Sequence, residues 1–320
     1  MNVVRRRLLI PAAATAAAAL SLTTLSACST DSAAAGNTDK FDVVASFYPM
    51  AFLAEQIGGK YVNVTNLTEP GQEPHDLEIS ARQTAQLQES DAVLYLKGLQ
   101  PAVDDAVGQS EIRTKIDAAS LTSLEEHGDE VGGHAAEHDD HEHEELSGKD
   151  PHVWLDPVKY AEIAQGVGAA FEKADPDHAS TYKTNTEALV EKLGALNGQF
   201  EDGLKNTETK VFLTTHAAFG YLAERYGLTE EAISGLDPES EPSGARVREL
   251  EKMAKADGVT TVFYETLVSD KTAKTIAADA GLRTDVLDPI EGITGKSRGK
   301  DYFSVQEANL KALRTALGAT

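Results

Sequence analysis

His178-Ala-Ser-Thr-Tyr-Lys-Thr-Asn-Thr-Glu-Ala-Leu-Val-Glu-Lys-Leu-Gly-Ala-Leu-Asn-Gly-Gln-Phe-Glu-Asp-Gly-Leu-Lys-Asn206 carries apolar residues at Leu189, Leu193, Leu196, Phe200 and Leu204. Steps of three and four place them on one face of an α-helix. As one helix, these residues would span about 43 Å at 1.5 Å per residue. They end a stretch without strand signal, Pro157 to Asn206, in which Asp175-Pro176 predicts a break because proline cannot continue a helix. A stiff helical connector of this kind holds what lies on either side at nearly fixed separation, as a Gly/Ser linker would not.

On both sides, short runs rich in Val, Ile, Phe and Tyr alternate with helical patterns. Strands are predicted at Phe41–Phe47, Tyr61–Leu67 and Asp91–Leu96, then at Lys210–Thr215, Gly258–Glu265 and Arg283–Leu287. Helices are predicted at Met50–Gly58, Ser80–Glu89, Phe219–Tyr226, Gly244–Lys255, Asp270–Ala280 and Ser304–Leu317. Strand and helix alternating in two separate sets predict an α/β protein of two lobes, each with a largely parallel sheet flanked by helices, joined by one long rigid helix. The expected divisions are an N-terminal lobe over 41–157, a helical connector over 158–208 and a C-terminal lobe over 209–320.

The first residues read as an export signal: Arg5-Arg6-Arg7, an apolar run from Leu8 to Leu25, then Leu25-Ser26-Ala27-Cys28. That tetrapeptide resembles a bacterial lipobox, which implies cleavage after residue 27, lipid on Cys28 and anchoring to the outer face of the bacterial cell membrane. Cys28 is the chain's single cysteine, so no disulfide can form within it. Residues 28–40 are small and polar and suit a tether. Without residues 1–27 the chain has 26 basic against 52 acidic side chains, a formal charge of −26. Such a balance excludes nucleic acid as a partner and favours cations.

Within an acidic loop over 125–148, five histidines follow one another: His127, His134, His138, His141 and His143. Neutral imidazole is the commonest protein ligand for zinc-class metals, so this tract reads as an auxiliary metal collector. It also reads as a solvated loop, having almost no large apolar residue, and the two readings are compatible.

Four histidines remain. His75 lies in Glu69-Pro-Gly-Gln-Glu-Pro-His-Asp76, His152 in Asp150-Pro-His-Val-Trp-Leu-Asp-Pro157, and His216 in Thr214-Thr-His-Ala-Ala-Phe-Gly-Tyr221. These are turns, two of them directly after predicted strands, where open α/β sheets bind ligands. Asp288, in Val286-Leu-Asp-Pro-Ile290, ends another strand and is the matching carboxylate. Asp156 before Pro157 reads as a helix cap, and His178 as a helix-start residue.

Together, the lipobox, Pro74-His75-Asp76, the His-rich acidic insertion before Asp150-Pro-His-Val-Trp-Leu-Asp-Pro157, Thr215-His216-Ala-Ala-Phe-Gly-Tyr221, Glu241-Pro-Ser243 and Val286-Leu-Asp-Pro-Ile290 resemble the zinc-binding solute receptors of metal ABC transporters. The likeness runs from Cys28 to the C-terminus with its motifs in order. It implies a lipid-anchored, monomeric, extracytoplasmic receptor that captures Zn²⁺ between two lobes and delivers it to an ABC permease and its ATPase. It implies His75 and His152 as ligands from the first lobe and His216 and Asp288 from the second. At Tyr264-Glu265 the chain departs from the family pattern, since Thr266-Leu267 follow where Pro-Gln is usual, and Glu265 is left without a role.

Three imidazoles and a carboxylate suit a tetrahedral, borderline-soft ion, whereas magnesium or calcium would want mostly oxygen. Members resembling manganese receptors carry Glu where this chain has His216, so that position favours zinc over the alternative, manganese or iron(II). A zinc hydrolase is disfavoured: His141-Glu142 is followed by His143-Glu144-Glu145, so no His-Glu-x-x-His exists, and Asp288 would close the coordination position a catalyst needs open. A surface metal buffer or adhesin built on the loop is the third alternative.

Overall fold

The computed structural model describes residues 40–127, 148–240 and 242–320. The predicted signal and tether before residue 40, Cys28, and His134, His138, His141 and His143 of the loop lie outside them.

The first lobe runs β1 (Phe41–Ala45), α1 (Tyr48–Gly58), β2 (Val62–Asn66), α2 (Ala81–Glu89), β3 (Ala92–Tyr95), α3 (Pro101–Gln109) and β4 (Thr114–Asp117). Its strands form one parallel sheet in the order β2-β1-β3-β4. Next come α4 (Pro157–Ala174) and α5 (Ala179–Leu204), separated by a 3₁₀ turn at Pro176–His178. The second lobe runs β5 (Val211–Thr214), α6 (Gly220–Tyr226), β6 (Thr229–Ala232), α7 (Gly244–Ala256), β7 (Thr261–Tyr264), α8 (Lys271–Ala280), β8 (Arg283–Val286) and α9 (Tyr302–Ala316). Its parallel sheet has the order β6-β5-β7-β8, the same topology as the first. In each sheet the chain leaves the two central strands in opposite directions, which opens a crevice at their carboxyl ends.

The break at Asp175-Pro176 falls where the sequence predicts it, and α5, at 26 residues, is about 39 Å long. Tyr182, Thr186, Leu189, Leu193, Leu196, Phe200 and Leu204 are its buried face. It packs on α1 and α4 and also on α6 and α9, so a single apolar cluster extends from β1 through α5 into the second lobe. Each buried Leu or Phe of that stripe contributes about 1.5–3 kcal/mol against exposure, enough together to fix the connector rigidly.

Two strands and a helix escaped the sequence reading. The strands β4 (Thr-Lys-Ile-Asp) and β6 (Thr-Glu-Glu-Ala) are sheet edges, where short charged segments are ordinary and the hydrophobic signal is weak. In α3, Pro-Ala-Val-Asp-Asp-Ala-Val-Gly-Gln, only Val103 and Val107 are buried, too little to mark a periodic face.

A candidate metal centre between the sheets

His75 comes from the loop after β2, His152 from the turn ahead of α4, and His216 from the end of β5. Their rings meet with centroids 5.3–6.2 Å apart. The fourth member of the group is Glu291, not Asp288: one ligand atom from each of His75, His152, His216 and Glu291 lies within 4.8 Å of the others. Glu291 Oε1 stands 3.4 Å from His75 Nε2, 3.4 Å from His152 Nε2 and 3.9 Å from His216 Nε2.

Asp288 is occupied elsewhere. Its Oδ1 accepts from the Ile290 amide (2.8 Å) and its Oδ2 from the Thr266 hydroxyl (3.2 Å), while Asn309 accepts from its N–H and donates to its C=O. The turn so braced carries Ile290 at φ 61°, a left-handed conformation that a β-branched residue rarely adopts. That turn carries the chain past Asp288 and presents Glu291 to the histidines. Asp288 therefore positions the carboxylate that the sequence reading assigned to Asp288 itself. The only sequence signal was a second acid three residues on, in Asp-Pro-Ile-Glu.

The histidines are held by carboxylates behind them. His152 Nδ1 donates to Asp150 Oδ1 (2.7 Å) and His216 Nδ1 to Glu265 Oε1 (2.7 Å), which fixes each ring and turns Nε2 toward the centre. Both Nε2 atoms are buried without a hydrogen-bond partner. Buried polar atoms are nearly always paired, so two orphans aimed at one point mark a place for a ligand. Glu265, left without a role by its sequence context, acquires one from distance alone. Trp154 ties the two lobes together here, its indole N–H donating to Pro289 O (2.7 Å) and its C=O accepting from the Tyr302 hydroxyl (2.6 Å).

Burial opposes a charge on His152, but Asp150 and Glu291 outweigh it and push the imidazole up to about 10. For His216 too, burial is overcome by Glu265 and Glu291 and the shift is upward. Glu291, despite complete burial, is held well below the usual carboxylate range by His152 and His75. Burial and the nearby Glu291 push Glu73 up to about 8.

Asp156 and His178 stand as their sequence context predicts. Asp156 caps α4 through the Val158 amide (2.8 Å) and also binds Arg225; His178 precedes α5, bonded to Asp175 and stacked on Tyr61.

His127, read as one of five collector histidines, is seated against the body of the protein. Its Nδ1 donates to Asp150 Oδ2 (2.9 Å), its Nε2 faces Glu224 Oε2 (3.1 Å), and its ring packs edge-on against Tyr221. A Cβ at Gly220 would lie 2.5 Å from its Cγ, so the seat needs glycine there. The Glu125 carbonyl accepts from the Asp150 amide (2.9 Å), closing the base of the loop. His127 thus braces Asp150, which braces His152. Deleting residues 130–146 is therefore expected to leave one tight metal site while removing weaker extra uptake, as counted by calorimetry. Ordering loop residues around an ion costs about 1–2 kcal/mol each, which keeps loop binding weak. Adding His127→Ala to the deletion should loosen the tight site, though by less than the roughly tenfold or more that losing a direct support of a ligand costs. Loss of the tight site in the deletion alone would move the centre into the loop.

The profile of the family described as "Zinc-uptake complex component A periplasmic" matches residues 43–316. The zinc-binding lipoprotein AdcA of Streptococcus pneumoniae is 36% identical over 296 residues, 91% of this chain but 58% of AdcA, so this chain spans little more than half of that relative. The high-affinity zinc uptake system protein ZnuA of Bacillus subtilis is 34% identical over 303 residues, 90% of this chain and 91% of ZnuA. The crystal structure of the Zn(II)-bound ZnuA-like domain of pneumococcal AdcA superposes with a TM-score of 0.72 at 33% identity, covering 87% of this chain and 99% of that domain.

Proposed function

Since the chain belongs to the zinc-uptake component A family, we propose that it captures Zn²⁺ between its two lobes and hands the ion to an ABC permease for import. The ligands in this reading are His75, His152, His216 and Glu291. One observation carries it. A tetrahedron with bonds of about 2.05 Å has ligand-to-ligand edges of roughly 3.3 Å, and Glu291 Oε1 stands 3.4, 3.4 and 3.9 Å from the three Nε2 atoms. Three neutral imidazoles and one carboxylate would leave a bound zinc with a single net positive charge, and the donors suit it better than manganese or iron(II).

The finer parts of the reading rest on sequence. Cleavage after residue 27, a lipid on Cys28, residues 28–40 as tether, the lobes at 41–157 and 209–320 and the connector at 158–208 belong to this proposal, as do a monomeric state and the absence of enzymatic activity. Four protein ligands would leave no coordination position for a catalytic water, which supports a carrier over a hydrolase.

The test is a competition titration of the protein with Zn²⁺ across a range of pH. One ion should bind tightly per chain, and alanine at His75, His152 or His216 should each cost at least about tenfold, or 1.4 kcal/mol. Zinc must displace the Nε2 protons of His152 and His216, which the surrounding acids favour, while the Nδ1 protons stay hydrogen-bonded to Asp150 and Glu265. His152 is raised to about 10, so affinity should climb with pH toward 10 and fall steadily on acidification. In the metal-free protein the sign is reversed. The raised His152 contributes stability that is fully present below its unfolded value of about 6.5 and is lost as pH rises through 10. Wild-type affinity in two of the three alanine variants, or affinity independent of pH between 6 and 9, would defeat the assignment.

A further inference from the structure

We propose that Glu73, Glu265 and Glu291 form a second, oxygen-only station, sharing Glu291 with the histidine site, where a divalent cation is held before it reaches the histidines. The inference rests on zinc capture as read above. One carboxylate oxygen of each residue lies within 4.8 Å of the other two. In all three the Oε2 atom is buried and has no hydrogen-bond partner, and Glu265 and Glu291 are only 4% and 1% exposed. The Oε1 atoms are engaged. Glu73 Oε1 accepts from the His75 amide (3.1 Å), Glu265 Oε1 from Thr215 and His216, and Glu291 Oε1 faces the imidazoles. Each acid therefore uses one oxygen in the scaffold of the histidine site and keeps one free. Three carboxylates this close, two of them on buried residues, repel one another when ionised, and a cation among them removes that cost.

Position gives the station its role. The His75 side chain is 13% exposed, against 0% for His152 and 2% for His216, so solvent reaches the centre on the His75 side. Glu73 is on the same loop. A cavity of about 390 Å³ is lined by Pro70 and Gly71 of that loop and by Thr266, Leu267 and Lys296 of the second lobe, Thr266 being the chain neighbour of Glu265. Glu291 belongs to both groups. A cation leaving the station exchanges the oxygens of Glu73 and Glu265 for imidazole nitrogens while Glu291 stays bound, so it is never stripped of all ligands in a buried site. Carboxylates accept any hard or borderline divalent ion. The station would therefore admit, and the histidines select.

Trp154 is the only tryptophan, and its ring lies 5.3 Å from that of His152, so its emission reports arrival of the ion. Rapid mixing of the protein with Zn²⁺ alone, followed by chelator-driven release, tests the station. Glu73→Gln keeps an oxygen for the His75 amide but removes the carboxylate that a cation would meet. It should slow association and release each by about tenfold, a size within reach of local electrostatic effects on rates, so that the equilibrium constant moves less than either rate. Glu73→Asp should retain most of the rate. Glu69→Gln, which removes an exposed charge from the same loop, should behave like wild type at moderate salt. Unchanged association in Glu73→Gln, with an unchanged melting temperature, overturns the station; so does a rate loss matched by an equal loss of affinity, which would place Glu73 in the final shell. If wild type shows no tight zinc, or His216→Ala binds as wild type does, it is zinc capture at the histidines that fails, and the station with it.

Discussion

Glu291→Gln is expected to weaken zinc binding about a hundredfold, near 2.7 kcal/mol, whereas Asp288→Asn should cost less than about threefold. The two acids are three residues apart in one turn, and their surroundings differ. Glu291 is fully buried among His75, His152 and His216, which hold its carboxyl far down and ionised. Removing its charge takes away the anion that balances the bound ion, and losing one partner of a buried charge pair typically costs 2–5 kcal/mol. Asp288 has no such cationic surroundings, and burial pushes its carboxyl up instead. Asparagine there still accepts from the Ile290 amide, and the Thr266 hydroxyl can accept from the new NH₂ where it donated to the acid. The turn that aims Glu291 survives. Competition titrations of both variants at one pH, with melting curves confirming the fold, separate the assignments. A larger loss in Asp288→Asn than in Glu291→Gln would make Asp288 the ligand after all.

The same turn shows where sequence reasoning stopped. Strand ends and turns placed His75, His152 and His216 because each sits in its own distinctive segment and the α/β rule says where those segments converge. Asp288 satisfied the same description, being an acid at a strand end before proline. What separates it from Glu291 is the positive φ at Ile290, and nothing about an isoleucine announces that conformation. Supports such as Asp150 and Glu265 were hidden for a related reason. A carboxylate becomes a brace through its distance to a ring, and Glu265 lies 49 residues from His216 in sequence. His127 was misfiled by composition, since it opens a histidine tract; its partners Glu224 and Tyr221 lie almost a hundred residues on.

At the level of the fold, legibility followed burial. The stripe from Leu189 to Leu204 was readable because α5 hides one face only and that face repeats every three or four residues. The central strands β1, β3, β5 and β7 were readable as apolar runs because helices cover both sides of a parallel sheet. The edges β4 and β6 were not, since Lys115 and Glu230 interrupt the runs.

His216→Glu should lower the Zn²⁺/Mn²⁺ affinity ratio by at least about tenfold, or 1.4 kcal/mol. Imidazole offers a borderline nitrogen, and a carboxylate offers hard oxygens that suit manganese better. The structure adds a cost common to both metals. His216 Nδ1 now donates to Glu265 Oε1 at 2.7 Å, and the two residues are 2% and 4% exposed. A carboxylate in that place has no N–H to give and faces Glu265 as a like charge in a buried setting, so both affinities should fall. Adding Glu265→Gln supplies an amide NH₂ that donates to the introduced carboxylate, restoring a brace and removing the repulsion. The double variant should therefore recover affinity for both ions while the ratio stays low, because the ratio depends on the donor atom and the recovery on what stands behind it. Zinc should still bind more tightly than manganese, following the general order of divalent affinities. Both constants, measured at one pH with circular dichroism confirming the fold, decide the matter. An unchanged ratio in the single and the double variant would show that His216 does not touch the ion, and a ratio that falls in the single variant but returns in the double would move selectivity from His216 to its contact with Glu265.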